Sequence, residues 1–308
     1  MKKLLHKLDP RRPRQKAIPL PASVDHGRPK YDLGLVIIVR DEACYIEEWL
    51  EFHLMQGVNH VIVYDNHSTD ATVETLAPWV TEGTATIVPW NRFHKRINNQ
   101  SLAYAHALAN FGPWFKWLGF LDADEFLFPA GDANLPEVLS GFEQLPAIGV
   151  CWSMFGNSGH SHRPDGLVIS NYMRKAVMRQ GQAPVHAINV KSVVRPQQIT
   201  AVQGAHMFHV HDLGQGAYLD AETWLPKHRK SAAAGQMQGP LQLNHYYTRS
   251  EEEFSAKLAK GSVRGPGFFD AARYHDVKTW IDRDTIEDRS ILRFVPALEA
   301  RLARRRMP

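Results

Sequence analysis

Between Leu33 and Leu121, short apolar runs alternate with apolar residues at helical spacing, and this alternation constrains the fold more than any other feature. Leu33 to Val39 is a continuous apolar run, as a strand covered on both faces requires. Ile46, Trp49, Leu50, His53 and Leu54 then recur at helical spacing as far as Gln56, and Gly57 closes the helix. His60 to Tyr64 reads as a second strand, followed by a helix through Val73, Leu76 and Val80 that Ser68 or Thr69 can cap. Thr84 to Val88 reads as a third strand. Leu102, Ala105, His106 and Ala109 mark a helix before a fourth apolar run, Trp114 to Leu121. Strands alternating with helices predict an α/β fold, a mostly parallel sheet with helices on both faces.

In such sheets ligands bind outside the carboxyl ends of the strands. Arg40-Asp41-Glu42, Asp65-Asn66 and Asp122 to Glu125 all fall at those ends, and the last cluster holds three carboxylates within four residues. Two acids one position apart can hold a divalent cation against a polyanion, because hard cations take oxygen from carboxylates, phosphates and water. A strand ending in a polar turn is the alternative reading, since Asp is common in turns. Neither G-x-G-x-x-G nor G-x-x-x-x-G-K-[ST] occurs. A nucleotide bound here needs its phosphate charge balanced another way, and a metal on the aspartates supplies one.

A length of 308 residues suits one large domain with an extension. The composition, 44% hydrophobic and 22% charged, excludes a collagenous or low-complexity chain. Cys44 and Cys151, read as lying inside regular elements, make no metal or redox spacing and suggest a reducing compartment. No apolar stretch is long enough to cross a bilayer and the first residues lack a secretory core, so the expected location is cytoplasmic. Positive residues crowd both ends, from Lys2 to Lys16 and from Arg301 to Arg306. They allow peripheral contact with an inner membrane face; a solvated tail is the other reading. Nucleic acid is not expected as a partner, because the aromatic residues do not interleave with the basic runs. The division expected is a basic leader over residues 1–30, one domain over 31–265 and a C-terminal helical extension over 266–308.

Taken in order, these residues resemble a GT-A glycosyltransferase of the family 2 type, near the family 92 branch. Val63-Tyr64-Asp65-Asn66-His67-Ser68-Thr69-Asp70 resembles the Asp-Asp-Gly-Ser-Thr-Asp signature, with Asn66 and His67 replacing its second Asp and its Gly. Val39-Arg40-Asp41-Glu42, with Glu48-Trp49-Leu50-Glu51-Phe52-His53, resembles the branch's opening motif. Gln100 with Ala103-Tyr104-Ala105-His106, then Asp122-Ala123-Asp124-Glu125-Phe126, continue it. Lys191-Ser192-Val193-Val194-Arg195-Pro196 and His245-Tyr246-Tyr247, with Ser250, Glu253, Phe254, Lys257 and Gly261, resemble the C-terminal pattern.

The resemblance implies metal-dependent, inverting transfer of a sugar from a nucleotide-sugar, UDP-linked first, to a hydroxyl of a glycan or lipid-linked saccharide. It implies that Arg40, Asp65, Asn66 and Gln100 hold the base and ribose. Asp122 is expected to meet the ribose or the metal, and Asp124 to ligate Mn²⁺ or Mg²⁺, which offsets charge on the leaving diphosphate. His245 is the first candidate for a further ligand and His206 the second, each set against an ordinary core hydrogen bond. Lys257 and Arg264 are candidates for the phosphates, or else residues of an exposed helix face. For the base that takes the acceptor proton, Asp165 is the first candidate, set against a plain Pro-Asp-Gly turn, the reading that turn chemistry favours. Asp212, Glu222 and Glu125 stay open, and Glu125 alternatively supports the metal ligands. Leu167 to Ile169 and Asn189 to Val194 read as short strands of the acceptor half, and residues 217–238 as a loop over the donor. A nucleotidyltransferase and a catalytically silent glycan-binding protein are the competing functions.

Overall fold

The apolar runs become strands whose alternate residues serve two different cores. In the computed structural model, which describes residues 17–21, 27–91, 98–178, 189–210, 214–220, 223–226, 239–262 and 270–307, the chain begins with β1 (Ile18–Pro19) and β2 (Tyr31–Val39). Leu33, Leu35, Ile37 and Val39 of β2 enter one apolar cluster, while Val36 and Ile38 enter the other. A strand with period-two side chains and a core on each side has to read as an unbroken apolar run. Helix α1 (Ile46–Met55), strand β3 (His60–Asp65), helix α2 (Thr72–Thr81), strand β4 (Ala85–Pro89) and helix α3 (Asn99–Asn110) follow, then β5 (Phe115–Phe120) and β6 (Glu125–Pro129). Trp49, Leu50, Leu76 and Trp79 put α1 and α2 against the first cluster, and Ala103, Tyr104 and Leu108 put α3 against the second. The two-faced sheet expected from the sequence is therefore present.

The rest of the chain widens that sheet: α4 (Leu135–Ser140), β7 (Ala147–Met154), α5 (Val168–Asn171), β8 (Arg174–Ala176), β9 (Val190–Val194), β10 (Ile199–Gly204), β11 (Met207–Val210), β12 (Gly214–Asp220), β13 (Thr223–Pro226), β14 (Leu241–His245), α6 (Glu251–Lys260), α7 (Ala271–Arg283), β15 (Thr285–Glu287) and α8 (Val295–Arg305). The main sheet has the order β4-β3-β2-β5-β9-β7-β14-β6. β4, β3, β2 and β5 are mutually parallel, as are β7 and β14. β9 runs against both its neighbours and β6 against β14, so two antiparallel strands interrupt the parallel pattern. β1, β10, β11, β12 and β13 form a second, antiparallel sheet, and α3 lies between it and the first.

Register then decides what gathers at one edge. Val39 pairs with Asp65, and Val36 with Phe120, so β2, β3 and β5 end together. β9, running the other way, begins at that edge with Lys191 opposite Val150 of β7. β14 ends there too, with His245 opposite Met154 on one side and Glu125 on the other.

Several local expectations change. Leu167 to Ile169 lead into the helix α5 rather than forming a strand, and Glu48 accepts from the amides of Val168 (2.8 Å) and Ile169 (3.1 Å). Neither Ser68 nor Thr69 caps α2; Asp70 Oδ1 accepts from Thr72 N at 2.9 Å instead. Cys44 lies exposed in a turn, not in a regular element, and Cys151 is buried in β7. The extension packs on the same core as the sheet through Val277, Ile281, Ile291, Leu298 and Leu302. Arg301 and Arg305 of α8 both reach Glu51, which is 1% exposed, and Arg306 reaches Glu47. Those basic residues are spent on intramolecular ion pairs. Residues 1–16 lie outside the described residues, and among the described residues no helix is long and apolar enough to cross a membrane.

Candidate active site

The acids stand in the turn between β5 and β6, closed by Glu125 N donating to Asp122 O at 3.1 Å and pinned by Tyr246 N donating to Asp124 O at 2.9 Å. Gln100 Nε2, from the first turn of α3, donates to Asp122 Oδ1 at 2.7 Å. Lys191 Nζ lies 2.8 Å from Asp122 Oδ2 and 3.3 Å from Glu125 Oε2. The ammonium is poorly aligned for a hydrogen bond, so the contact is an ionic one. Burial opposes the charge on Lys191, but Asp122 and Glu125 outweigh it and keep the group a cation. Asp124 faces Lys257 Nζ at 2.7 Å through Oδ2 and His245 Nε2 at 3.4 Å through Oδ1. Burial pushes its carboxyl up, yet Lys257 and His245 hold it well below the usual carboxylate range. Glu125, fully buried, goes the other way. Burial outweighs Lys191 and, with Asp122 and Asp124 beside it, raises its pKa well above the ordinary value.

Asp124, Glu125 and His245 each offer a ligand atom, and these atoms lie within 4.8 Å of one another. Burial lowers the His245 pKa against the pull of Asp124, which leaves a neutral imidazole with a lone pair to give. His245 Nδ1 and Glu125 Oε1 are buried without hydrogen-bond partners. Carboxylate oxygen with imidazole nitrogen, two of the atoms unspent, is a donor set that fits Mn²⁺ or Mg²⁺. The triad differs from the expected one: Glu125 belongs to it, while Asp122 is turned toward Gln100 and Lys191. Lys257 holds Asp124 through Oδ2, and Oδ1 is the oxygen that faces His245.

The cluster opens into a cleft of about 600 Å³. Arg40, Gln100, Asp122, Asp124, His245 and Lys257 all line it, as expected. Arg40 donates to Lys260 O and stands beside a second recess lined by Asp41, Asn66, His67 and Lys260. Asn66 is 3% exposed and its amide donates to Trp90 O at 2.8 Å, while Asp65 accepts from Ser68 N at 3.2 Å. Asn66 thus lines the recess, while Asp65 lines neither it nor the cleft.

Three expectations are not met by the geometry. Asp165 is exposed and outside the cleft lining; its carbonyl accepts from Asn171 and Gly166 follows at φ +91°, the plain turn. Glu125, with no exposed surface, cannot touch an acceptor hydroxyl, and its place is in the metal-competent triad. His206 lines the cleft but stands against Trp152, with Nδ1 2.8 Å from Val190 O, apart from the metal-competent atoms. Arg264, Asp212 and Glu222 lie outside the described residues, as do residues 227–238 of the expected loop. Reading the sequence gave no role to Lys191 or Arg249. A lysine inside an apolar strand was the available signal for the first.

The sheet order and its edge cluster make this a GT-A-type α/β protein. A family model described as glycosyltransferase family 92 matches residues 38–254, and the chain belongs to that family. It is 29% identical over 217 residues to a glycosyltransferase family 92 protein of Oryza sativa subsp. japonica, covering 65% of this chain and 35% of that protein. A family 92 protein of Ricinus communis is 23% identical over 241 residues, 75% of this chain and 38% of its own length. A galactan beta-1,4-galactosyltransferase, GALS2, of Arabidopsis thaliana is 27% identical over 105 residues, 32% of this chain and 20% of that one. The chain thus spans between a fifth and two fifths of these relatives. The crystal structure of S. aureus TarS 1-349 in complex with UDP aligns with 54% of this chain and 47% of its own, at 14% identity and a TM-score of 0.34. That likeness carries no argument.

Proposed function

We propose that the chain transfers a sugar from a nucleotide-sugar, UDP-linked in the first instance, to a hydroxyl of a glycan or lipid-linked saccharide, with inversion. The observation that carries this reading is the convergence of Asp122, Asp124, Glu125, Lys191 and His245 at the strand ends of a cleft large enough for a nucleotide-sugar. Arg40 and the recess beside Asn66 and His67 receive the base and ribose. Asp124, His245 and Glu125 would hold Mn²⁺ or Mg²⁺, which when bound offsets charge on the departing diphosphate. Gln100 and Lys191 fix the Asp122 carboxylate from both sides, so it meets the donor in one orientation. Tyr247 and Tyr274, stacked with ring centres 5.6 Å apart on the cleft wall, offer an aromatic surface to a saccharide.

Two features favour transfer over the competing functions. The family argues against a nucleotidyltransferase. A silent binder has no use for a carboxylate held ionised in a buried cluster. The test is release of nucleoside diphosphate from a panel of UDP-sugars and GDP-mannose, with Mn²⁺, by the protein and by Asp124→Ala. Turnover lost by about a hundredfold or more in the variant is expected. If no donor turns over, while a glycan still binds both proteins equally, the reading gives way to the silent scaffold.

A further inference from the structure

Arg249 sits in the turn that leads from β14 into α6, at φ +53°, a left-handed backbone that a residue with a side chain rarely adopts. It is 8% exposed. Its guanidinium carbon lies 3.7 Å from the ring centre of Tyr45. Among the described residues its side chain makes no hydrogen bond and no ion pair, and Nε is buried with no partner at all. The neighbouring cations of the cleft are satisfied. Lys257 has Asp124 at 2.7 Å, Lys260 has Glu42 at 2.5 Å, and Arg163 donates to Cys44 O at 3.2 Å. Glu42, Asp124 and Glu253 feel the charge of Arg249 only from beyond contact distance.

A buried guanidinium without a carboxylate is unfavourable, and strained backbone adds to that. A ring face offsets part of this cost but accepts none of the N–H bonds. Beside it Thr248, 1% exposed, has a hydroxyl that is likewise buried without a partner. Both side chains line the cleft. Two adjacent unspent donors, one of them a rigid fork with a fixed charge, match a group with several oxygens and a negative charge. Lys257, Lys260 and Arg40 around them favour more than one negative charge, as on a phosphate.

We propose that Arg249 and Thr248 form a phosphate subsite of this cleft, with Tyr45 holding the guanidinium plane in place. The proposal rests on the transferase reading only for the origin of the phosphate, which is either the donor's diphosphate or a phosphate on the acceptor. If it is the diphosphate, the protein itself carries part of the leaving group's charge from a fixed position, with no reorganisation as the glycosyl bond breaks.

Inorganic pyrophosphate is the probe, titrated calorimetrically in EDTA against the unaltered protein, R249M, R249K and T248V, with thermal unfolding of each ligand-free protein alongside. R249M is expected to lose affinity for pyrophosphate by about tenfold or more, and R249K to keep part of it. The ligand-free R249M should melt no lower than the unaltered protein, because it removes an unpaired buried charge. A structural arginine behaves otherwise. If R249M melts lower, R249K restores the melting temperature and pyrophosphate affinity is unmoved by either, the subsite is refuted. Failure of the unaltered protein to bind pyrophosphate refutes it as well. Displacement of pyrophosphate by UDP or GDP assigns the phosphate to the donor; simultaneous binding assigns it to the acceptor. Pyrophosphate binding needs no sugar, acceptor or metal. Binding lost in R249M without turnover of any nucleotide-sugar leaves the subsite and removes the transferase, and the reverse result removes the subsite alone.

Discussion

Lys191 carries a full charge at 1% exposure, with Asp122 at 2.8 Å on one side and Glu125 at 3.3 Å on the other. Without it, Asp122 and Glu125 would lose the cation between them, since Lys257 contacts Asp124. Lys191→Met keeps the length of the side chain and removes the cation. We expect it to lower the unfolding free energy by about 3–5 kcal/mol at pH 7, as breaking a buried ion pair does. The deficit should shrink as pH falls, because Glu125, whose pKa burial already raises, takes up a proton. Urea unfolding at pH 7 and below measures both, and an unchanged midpoint would show that the carboxylates find another partner. That Asp122 and Asp124 stand at the sheet edge was legible because acids at a strand end keep their meaning without neighbours, whereas His245 came only with the resemblance. Lys191 and Arg249 were not legible. One matters for what faces it across the sheet, the other for what fails to face it, and neither fact is local in sequence.

Helix α1 shows the same division at the scale of an element. Its apolar spacing placed it to within a residue of its end, but its two buried titratable groups report on packing that the spacing does not contain. Burial outweighs the amides of Val168 and Ile169 and raises Glu48 from 4.5 to about 7. The folded protein therefore binds this proton more tightly than the unfolded chain, and stability falls as pH rises across that window. His53 lies between Trp49 O (2.7 Å) and Leu127 N (3.1 Å), and burial lowers its pKa from 6.5 to about 3. Here the unfolded chain holds the proton more tightly, so stability falls as pH drops across its window. The two slopes oppose one another between 4.5 and 6.5, where these two contributions should cancel. Glu48→Gln is expected to remove this group's share of the loss between pH 6 and pH 8, about 1.4 kcal/mol. Guanidinium unfolding followed across that range decides it; the same slope in the variant would place the loss elsewhere.

For the molecule as a whole, the strand–helix alternation carried the sheet as far as β5 and no further. Beyond it the strands vary from the 3 residues of β8 to the 8 of β7, and their neighbours are set by the order β9-β7-β14-β6, which no local pattern encodes. The C-terminal helix is similar: its basic residues read as a surface feature, yet Arg305 lies 4.3 Å from the centre of the Trp79 ring and bonds both Glu51 and Glu82. Arg305→Ala leaves the buried Glu51 carboxylate with Arg301 alone among the arginines and should reduce stability by about 1–3 kcal/mol. An unaltered urea midpoint would mean that α8 docks through Leu298 and Leu302 without help from charge.

The place of β14 bears on how such a chain comes to be made. Among the described residues β6 pairs with β14 alone, and β14 fills the slot between β6 and β7, both of which precede it by a long stretch of sequence. During synthesis, then, the apolar residues Phe126, Leu127 and Phe128 leave the ribosome well before the strand that covers their backbone exists. Until residues 241–245 arrive, a nascent chain carries an open, sticky edge of the kind that pairs with other chains. The same late strand brings His245 and, just after it, Arg249. One late strand thus pairs the inner side of β6, which stays outermost in the sheet among the described residues, and completes the Asp124–Glu125–His245 cluster.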